Sequence, residues 1–211
     1  MLTDYQISLI CATLYDDSAP SGFWSNIWAT DGAYAALTHS NGYDVVVWRG
    51  SVTKLDFLED FASEVPIWDK ELGHCAYGFH QGMRQSQPAI DAVIGQNPII
   101  VTGHSLGAAH AALYAAHLIA IGKPLVALTN FGEPRPGFER IRDLLKNTQV
   151  HSYRNNSDPV TEVPTIGIGN ADLYVHSNKL IPLSVSPPAN DPWGPLQDHH
   201  IDLYIQGVIN L

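Results

Sequence analysis

Short apolar runs alternate along this chain with longer stretches of helical character. Thr3 and Asp4 precede residues 5–15, which read as a first helix capped at its start. A Gly-, Ser- and Trp-rich loop follows. Residues 33–39 and 44–49 read as two strands joined through Asn41-Gly42. That dipeptide is a hairpin signal, because both residues accept the positive φ of a tight turn. Val45-Val46-Val47-Trp48 is apolar without interruption, as in a strand covered on both faces. Residues 55–63 and 82–94 read as helices, and Pro88 predicts a late start or a kink in the second. Residues 98–102 form a β-branched run, hence a buried strand, and the Ala- and Leu-rich residues 108–121 read as a helix. Strands at 125–130 and 150–154 flank a helix at 138–146. Residues 157–195, dense in Pro, Gly, Asn and Asp, read as long loops around a strand at 172–176, and 199–211 as a closing helix. Strands alternating with helices predict an α/β fold, a mostly parallel central sheet flanked by helices, in a single domain over residues 1–211.

Composition narrows the function classes. Of 211 residues, 45% are hydrophobic and 15% charged, which permits a sizeable core and argues against disorder. The net charge of -10, with 11 scattered Lys and Arg, argues against nucleic acid as a partner and against attraction to an anionic membrane. Cys11 and Cys75 read as reduced, buried thiols, since two distant positions establish no disulfide. No His/Cys/Asp spacing suggests a metal, so none is expected, and no cofactor either. The first residues lack a signal-peptide pattern, and no apolar stretch approaches the ~18–20 residues of a membrane span. The expectation is a soluble chain of open localisation, cytoplasmic or exported.

The candidate chemistry lies between the 98–102 strand and the 108–121 helix. Gly103-His104-Ser105-Leu106-Gly107 has the Gly-x-Ser-x-Gly pattern of a nucleophile elbow. A sharp strand-to-helix turn holds such a serine in a strained conformation, and small residues two before and two after let the turn close. The following helix start favours an oxyanion through its dipole and free N–H groups. Ser105 is therefore the candidate nucleophile.

With this setting, Gly-His-Ser-Leu-Gly after Ile-Ile-Val-Thr resembles the class 3 (fungal-type) lipases of the α/β-hydrolase superfamily. Four further segments agree in order: Val46-Val47-Trp48-Arg49-Gly50-Ser51, Asp56-Phe57-Leu58-Glu59-Asp60, His80-Gln81-Gly82-Met83 (Met where the family has Phe), and Asn130-Phe131-Gly132-Glu133-Pro134-Arg135. The resemblance covers about residues 30–205. It implies an α/β-hydrolase fold and a carboxylic ester hydrolase of lipase or esterase type.

In that fold the acid and then the histidine follow the serine in the chain. Asp158, in a loop beyond the 150–154 strand, matches the family's Asp-Pro-Val segment; it can also simply cap the turn before Pro159. Asp143, inside a helix, and Asp172, opening a strand, are weaker candidates. Late in the chain, Asp198-His199-His200 offers two adjacent bases. The family's Tyr five residues after its His is matched by His199 and Tyr204, which selects His199 and leaves His200 as the alternative. One oxyanion donor is expected to be the backbone N–H of Leu106, directly after the nucleophile, and the resemblance assigns the other to Ser51. His104 is expected to pack beside the elbow.

Together these imply acyl transfer through an acyl-enzyme, without cofactor, on acylglycerol or other lipid esters, with transient contact at a lipid–water interface. Residues 52–66 occupy the place of the family's lid; an amphipathic helix fixed to the core accounts for them equally well. A short-chain or feruloyl-type esterase, an acyltransferase, and a non-catalytic binding module on the same fold are the alternatives.

Overall fold

The computed structural model describes the chain except residues 17–18, 52–64, 166–172, 190, 192–193 and 210. Helix α1 (Asp4–Thr13) begins in a capping box: the Thr3 side chain accepts from the Gln6 N–H while the Gln6 side chain accepts from the Thr3 N–H. Strands β1 (Asn26–Ala29), β2 (Tyr34–Ser40) and β3 (Tyr43–Arg49) pair antiparallel in sequence. Asn41 and Gly42, at φ 50° and 79°, turn the β2–β3 hairpin. A small hairpin, β4 (Pro66–Asp69) and β5 (Gly73–Ala76), leads into α2 (Tyr77–Asp91). Then come β6 (Ile99–His104), α3 (Leu106–Ala120), β7 (Leu125–Phe131), α4 (Glu139–Leu145), β8 (Gln149–Asn155), β9 (Leu180–Leu183) and α5 (Ile201–Val208).

Among the described residues, the main sheet has seven strands in the order β1-β2-β3-β6-β7-β8-β9. From β3 through β9 every pair is parallel, and β1 and β2 extend the edge antiparallel. This is the mostly parallel α/β sheet that the alternation of strands and helices predicts, and it agrees with the α/β-hydrolase fold that the motif resemblance implies. The Val45–Trp48 run shows how the layers form. Val46 and Trp48 face a core built with α2, α3 and α4, whereas Val45 and Val47 face a second core under α1 and α5. All four are fully buried, as expected of a strand covered on both sides. Helix α3 is buried along most of its length, which explains its Ala-rich composition: small side chains let it lie close to the strands beneath.

Several elements differ from the sequence reading. Helix α2 starts at Tyr77, not near residue 82, because β5 ends at Ala76 and its extended backbone caps the helix; Pro88 falls in the last turn, where its missing N–H removes one i→i−4 hydrogen bond and the helix ends three residues later. The expected strand at 172–176 is reduced, among the described residues, to a single bridge between Gly137 and Val175. Its place at the sheet edge is taken by β9, whose Pro182 sits on an edge strand where a lost N–H is tolerated. The closing helix begins at Ile201, after a 3-10 segment Gly194–His199. The 55–63 helix and the 52–66 lid reading fall largely on residues outside the described ones. Cys11 and Cys75 are both buried free thiols. No helix among the described residues is long and apolar enough to cross a membrane.

Candidate active site

The parallel strands deliver the candidate residues to one edge of the sheet. Gly50-Ser51 follows β3, Ser105 follows β6, Gly132 follows β7 and Asp158 follows β8, so all lie beyond carboxyl ends of strands, where ligands bind in open α/β sheets. Ser105 sits between β6 and α3 at φ 63°, ψ −134°, a conformation few non-glycine residues adopt. Its N–H donates to the Phe131 carbonyl at 3.0 Å, and its own carbonyl accepts from Ala108 at 2.8 Å. The turn closes because Gly107 brings no side chain: a Cβ there would stand 2.1 Å from the Trp48 carbonyl oxygen. Leu106 is the first residue of α3, so its N–H has no acceptor within the helix.

The loop carrying Gly50 and Ser51 meets this elbow directly. A Cβ on Gly50 would lie 2.6 Å from the Ser105 Cβ, so Ser51, the next residue, is held beside the serine. Ser51 and Leu106 both line a cleft of about 240 Å³, with Thr30, Asp31, Tyr34, Arg49 and Gly50 among its other walls. Arg49 lies over the Tyr34 ring, 3.8 Å from its centroid.

On the other side stand Asp158 and His199, both buried. His199 Nδ1 and Asp158 Oδ2 are 2.6 Å apart. The same Oδ2 accepts a very short hydrogen bond from the Tyr204 hydroxyl, and Oδ1 accepts from the Val160 N–H at 2.9 Å. Burial alone would push the Asp158 carboxyl up. The His199 charge, and the hydrogen bonds from His199, Tyr204 and Val160, outweigh it and hold the carboxyl below the usual carboxylate range. Asp158 also caps the short 3-10 helix Pro159–Glu162, so the turn-capping role and the pairing with a histidine coexist on its two oxygens. Gly132 fits between the parts: at φ 61°, a Cβ there would stand 2.7 Å from His199 Cε1 and 2.9 Å from Asp158 Oδ2.

The adjacent histidines diverge. His200 turns to Asp191, 3.3 Å away, and not to Asp158. Asp143 is exposed on α4, and Asp172 lies outside the described residues. Two residues do more than the sequence indicated. Tyr204, in the sequence only a spacing marker, donates to Asp158; a Tyr five residues after the His, one helical turn into α5, is the available signal. His104, expected merely to pack beside the elbow, stacks on His199 with ring centroids 4.6 Å apart. Among the described residues no cluster of His, Cys, Asp and Glu is arranged to hold a metal ion.

Residues 45–168 match the family model described as Lipase (class 3). The secreted mono- and diacylglycerol lipase A of Penicillium camembertii is 31% identical over 155 residues, which cover 68% of this chain and 48% of that protein. Phospholipase A1-II 1 of Oryza sativa subsp. japonica is 27% identical over 200 residues, covering 78% of this chain and 49% of that one. The chain thus spans about half the length of these relatives. The solved triacylglyceride lipase of Rhizomucor miehei superposes with a TM-score of 0.68 at 20% identity, over 85% of this chain and 75% of that one. This likeness of fold agrees with the sheet order and elbow described above. The chain belongs to the class 3 lipase family.

Proposed function

We propose that this chain, as one α/β-hydrolase domain over residues 1–211, hydrolyses carboxylic esters of lipids with Ser105 as nucleophile. The observation that carries this reading is the buried Asp158–His199 pair, 2.6 Å apart, at the same sheet edge as a serine held at φ 63°. His199 accepts the Ser105 proton as Oγ bonds to the ester carbonyl carbon. Asp158 orients the imidazole and stabilises the imidazolium without taking the proton itself. The oxyanion that forms lies within reach of the Ser51 and Leu106 donors, which bind it more strongly than the flat ester. Collapse breaks the bond to the alcohol, which leaves with the proton from His199. Water then adds to the acyl-enzyme by the same steps in reverse, releasing the acid and free Ser105.

The substrate class is a carboxylic ester of an acylated glycerol. The names of the relatives support it: one set is called mono- and diacylglycerol lipases and the other phospholipases A1, and both names specify acyl ester cleavage. Contact with a lipid–water interface follows from such a substrate. The reading is tested with p-nitrophenyl esters of increasing acyl length, then with fatty-acid release from diacylglycerol and from phosphatidylcholine, each beside Ser105→Ala. An alkyl phosphonate should label Ser105 and no other serine, as read by intact mass and peptide mapping. Activity retained by Ser105→Ala, or an active enzyme labelled elsewhere, refutes the assignment.

A further inference from the structure

Tyr15 stands just beyond α1, outside residues 45–168 that match the family model, and its hydroxyl joins two sides of the elbow. The Gly50 N–H donates to Tyr15 Oη at 2.7 Å, and Tyr15 Oη lies 2.8 Å from His104 Nδ1. His104 Nε2 lies 2.8 Å from the His199 carbonyl oxygen. The ends of this chain fix every proton in it. A carbonyl only accepts, so His104 carries its proton on Nε2 and leaves Nδ1 bare. Tyr15 therefore donates to Nδ1 while accepting from Gly50; the other acceptor in its reach, the His104 carbonyl, is at 3.5 Å.

We propose that Tyr15 is a positioning residue for the ester hydrolysis: through its hydroxyl it ties the Gly50-Ser51 oxyanion loop, by way of His104, to the main chain of His199, and so sets the spacing of oxyanion donors and base on either side of Ser105. The strut is neutral. Burial, with the nearby His199 charge, pushes His104 down to about 3, and burial pushes the Tyr15 hydroxyl up, so neither end ionises at working pH. Stacking on His199 adds a second hold on the base. Tyr15 touches no reacting atom. It acts by geometry, and displacements of ~1 Å in such a site cost up to ~10²-fold in rate.

The proposal rests on the assignment of Ser105 and His199, and the test separates the two. Tyr15→Phe removes the hydroxyl. His104→Gln keeps a donor for the His199 carbonyl but not the acceptor for Tyr15; His104→Asn keeps the acceptor but not the donor. Each is titrated with an alkyl phosphonate to count competent sites, and kcat and KM are then measured per titrated site on a soluble p-nitrophenyl ester. We expect an undiminished titrated fraction, KM within about twofold, and kcat and phosphonylation rate both lower by roughly tenfold or more, the effect of ~1.4 kcal/mol on a barrier. Because all three variants break one strut, Tyr15→Phe combined with His104→Gln should cost little beyond His104→Gln alone. Normal kcat per site in Tyr15→Phe, additive losses in the double variant, or a loss confined to the titrated fraction overturns the proposal. If Tyr15→Phe does not fold, normal kcat per site in both His104 variants overturns it. Phosphonate on a serine other than Ser105 in the wild type instead overturns the catalytic assignment.

Discussion

At the scale of single residues, the site depends on atoms that are absent as much as on those present. Gly132 is the clearest case. Alanine there combines a positive φ with a methyl group less than 3 Å from both His199 and Asp158. Gly132→Ala should fold yet lose on the order of 10²-fold in kcat, because the imidazole must move. Circular dichroism and ester kinetics on one preparation check this. The paired histidines make a second test. His199→Ala should lose roughly 10³-fold or more in kcat, the scale for a triad member, while His200→Ala, which breaks the contact with Asp191 and leaves the Asp158 pair intact, should keep most activity. The opposite pattern would move the base to His200. Chain order and motif spacing select His199 from the sequence, but two adjacent residues in an irregular segment have no periodicity to tell their directions apart.

Among the elements, α3 and β3 carry the most consequence. Helix α3 approaches β3 so closely that Gly107 touches the Trp48 carbonyl. Gly107→Ala should push the helix start off the strand and carry the Leu106 N–H away from the Gly50-Ser51 loop. Overpacking of this kind costs up to about 3 kcal/mol, so urea unfolding should reveal a large stability loss together with lost activity. By contrast Thr3→Ala, at the capping box of α1, should cost only about 1 kcal/mol and leave kcat per active site nearly unchanged. The α3 and β3 segments were legible because their composition and burial agree. Strands β1, β4, β5 and β9 were not, since each has only four residues and takes its place from a partner strand.

For the whole molecule, pH dependence should follow its buried histidines. Burial pushes His110 down to about 3, as it does His104. His110 packs on Trp48, and neither ring nitrogen has a hydrogen-bond partner among the described residues. A histidine with a depressed folded pKa binds its proton more readily when unfolded. Its contribution is therefore fully present above the unfolded value of ~6.5 and is lost as pH falls from there toward about 3, by roughly 1 kcal/mol per pH unit for each residue. His117 has the opposite sign. Burial lowers it, but Asp91 and Glu71 outweigh burial and raise it, so its contribution is present at acid pH and lost as pH rises through its elevated pKa. His110→Leu removes one acid-labile group and an unpartnered buried imidazole, which costs about 1–3 kcal/mol. The variant should be more stable in urea at neutral pH, and its advantage should widen at pH ~5.5, where the wild type must bury a neutral histidine against its own protonation. A gap that does not change with pH would mean that His110 is not held neutral.

Much of this protein follows from local sequence. The alternation of apolar runs and helical stretches defines an α/β fold; the β-branched run before Gly103 and the Ala-rich helix after Gly107 define the elbow; and motif order ranks Ser105, Asp158 and His199. These signals are legible because strand and helix periods, turn glycines and chain order act over a few residues at a time. Tertiary structure alone decides what joins residues far apart in the chain. It adds β1 to the antiparallel edge begun by the β2–β3 hairpin, and replaces the expected 172–176 strand by β9. It also turns His199 toward Asp158 and His200 away, and brings Tyr15 to His104 across 89 positions. The reason is physical: a buried hydrogen bond fixes a partner only when packing has excluded water and every other donor or acceptor, and no stretch of sequence contains that exclusion by itself.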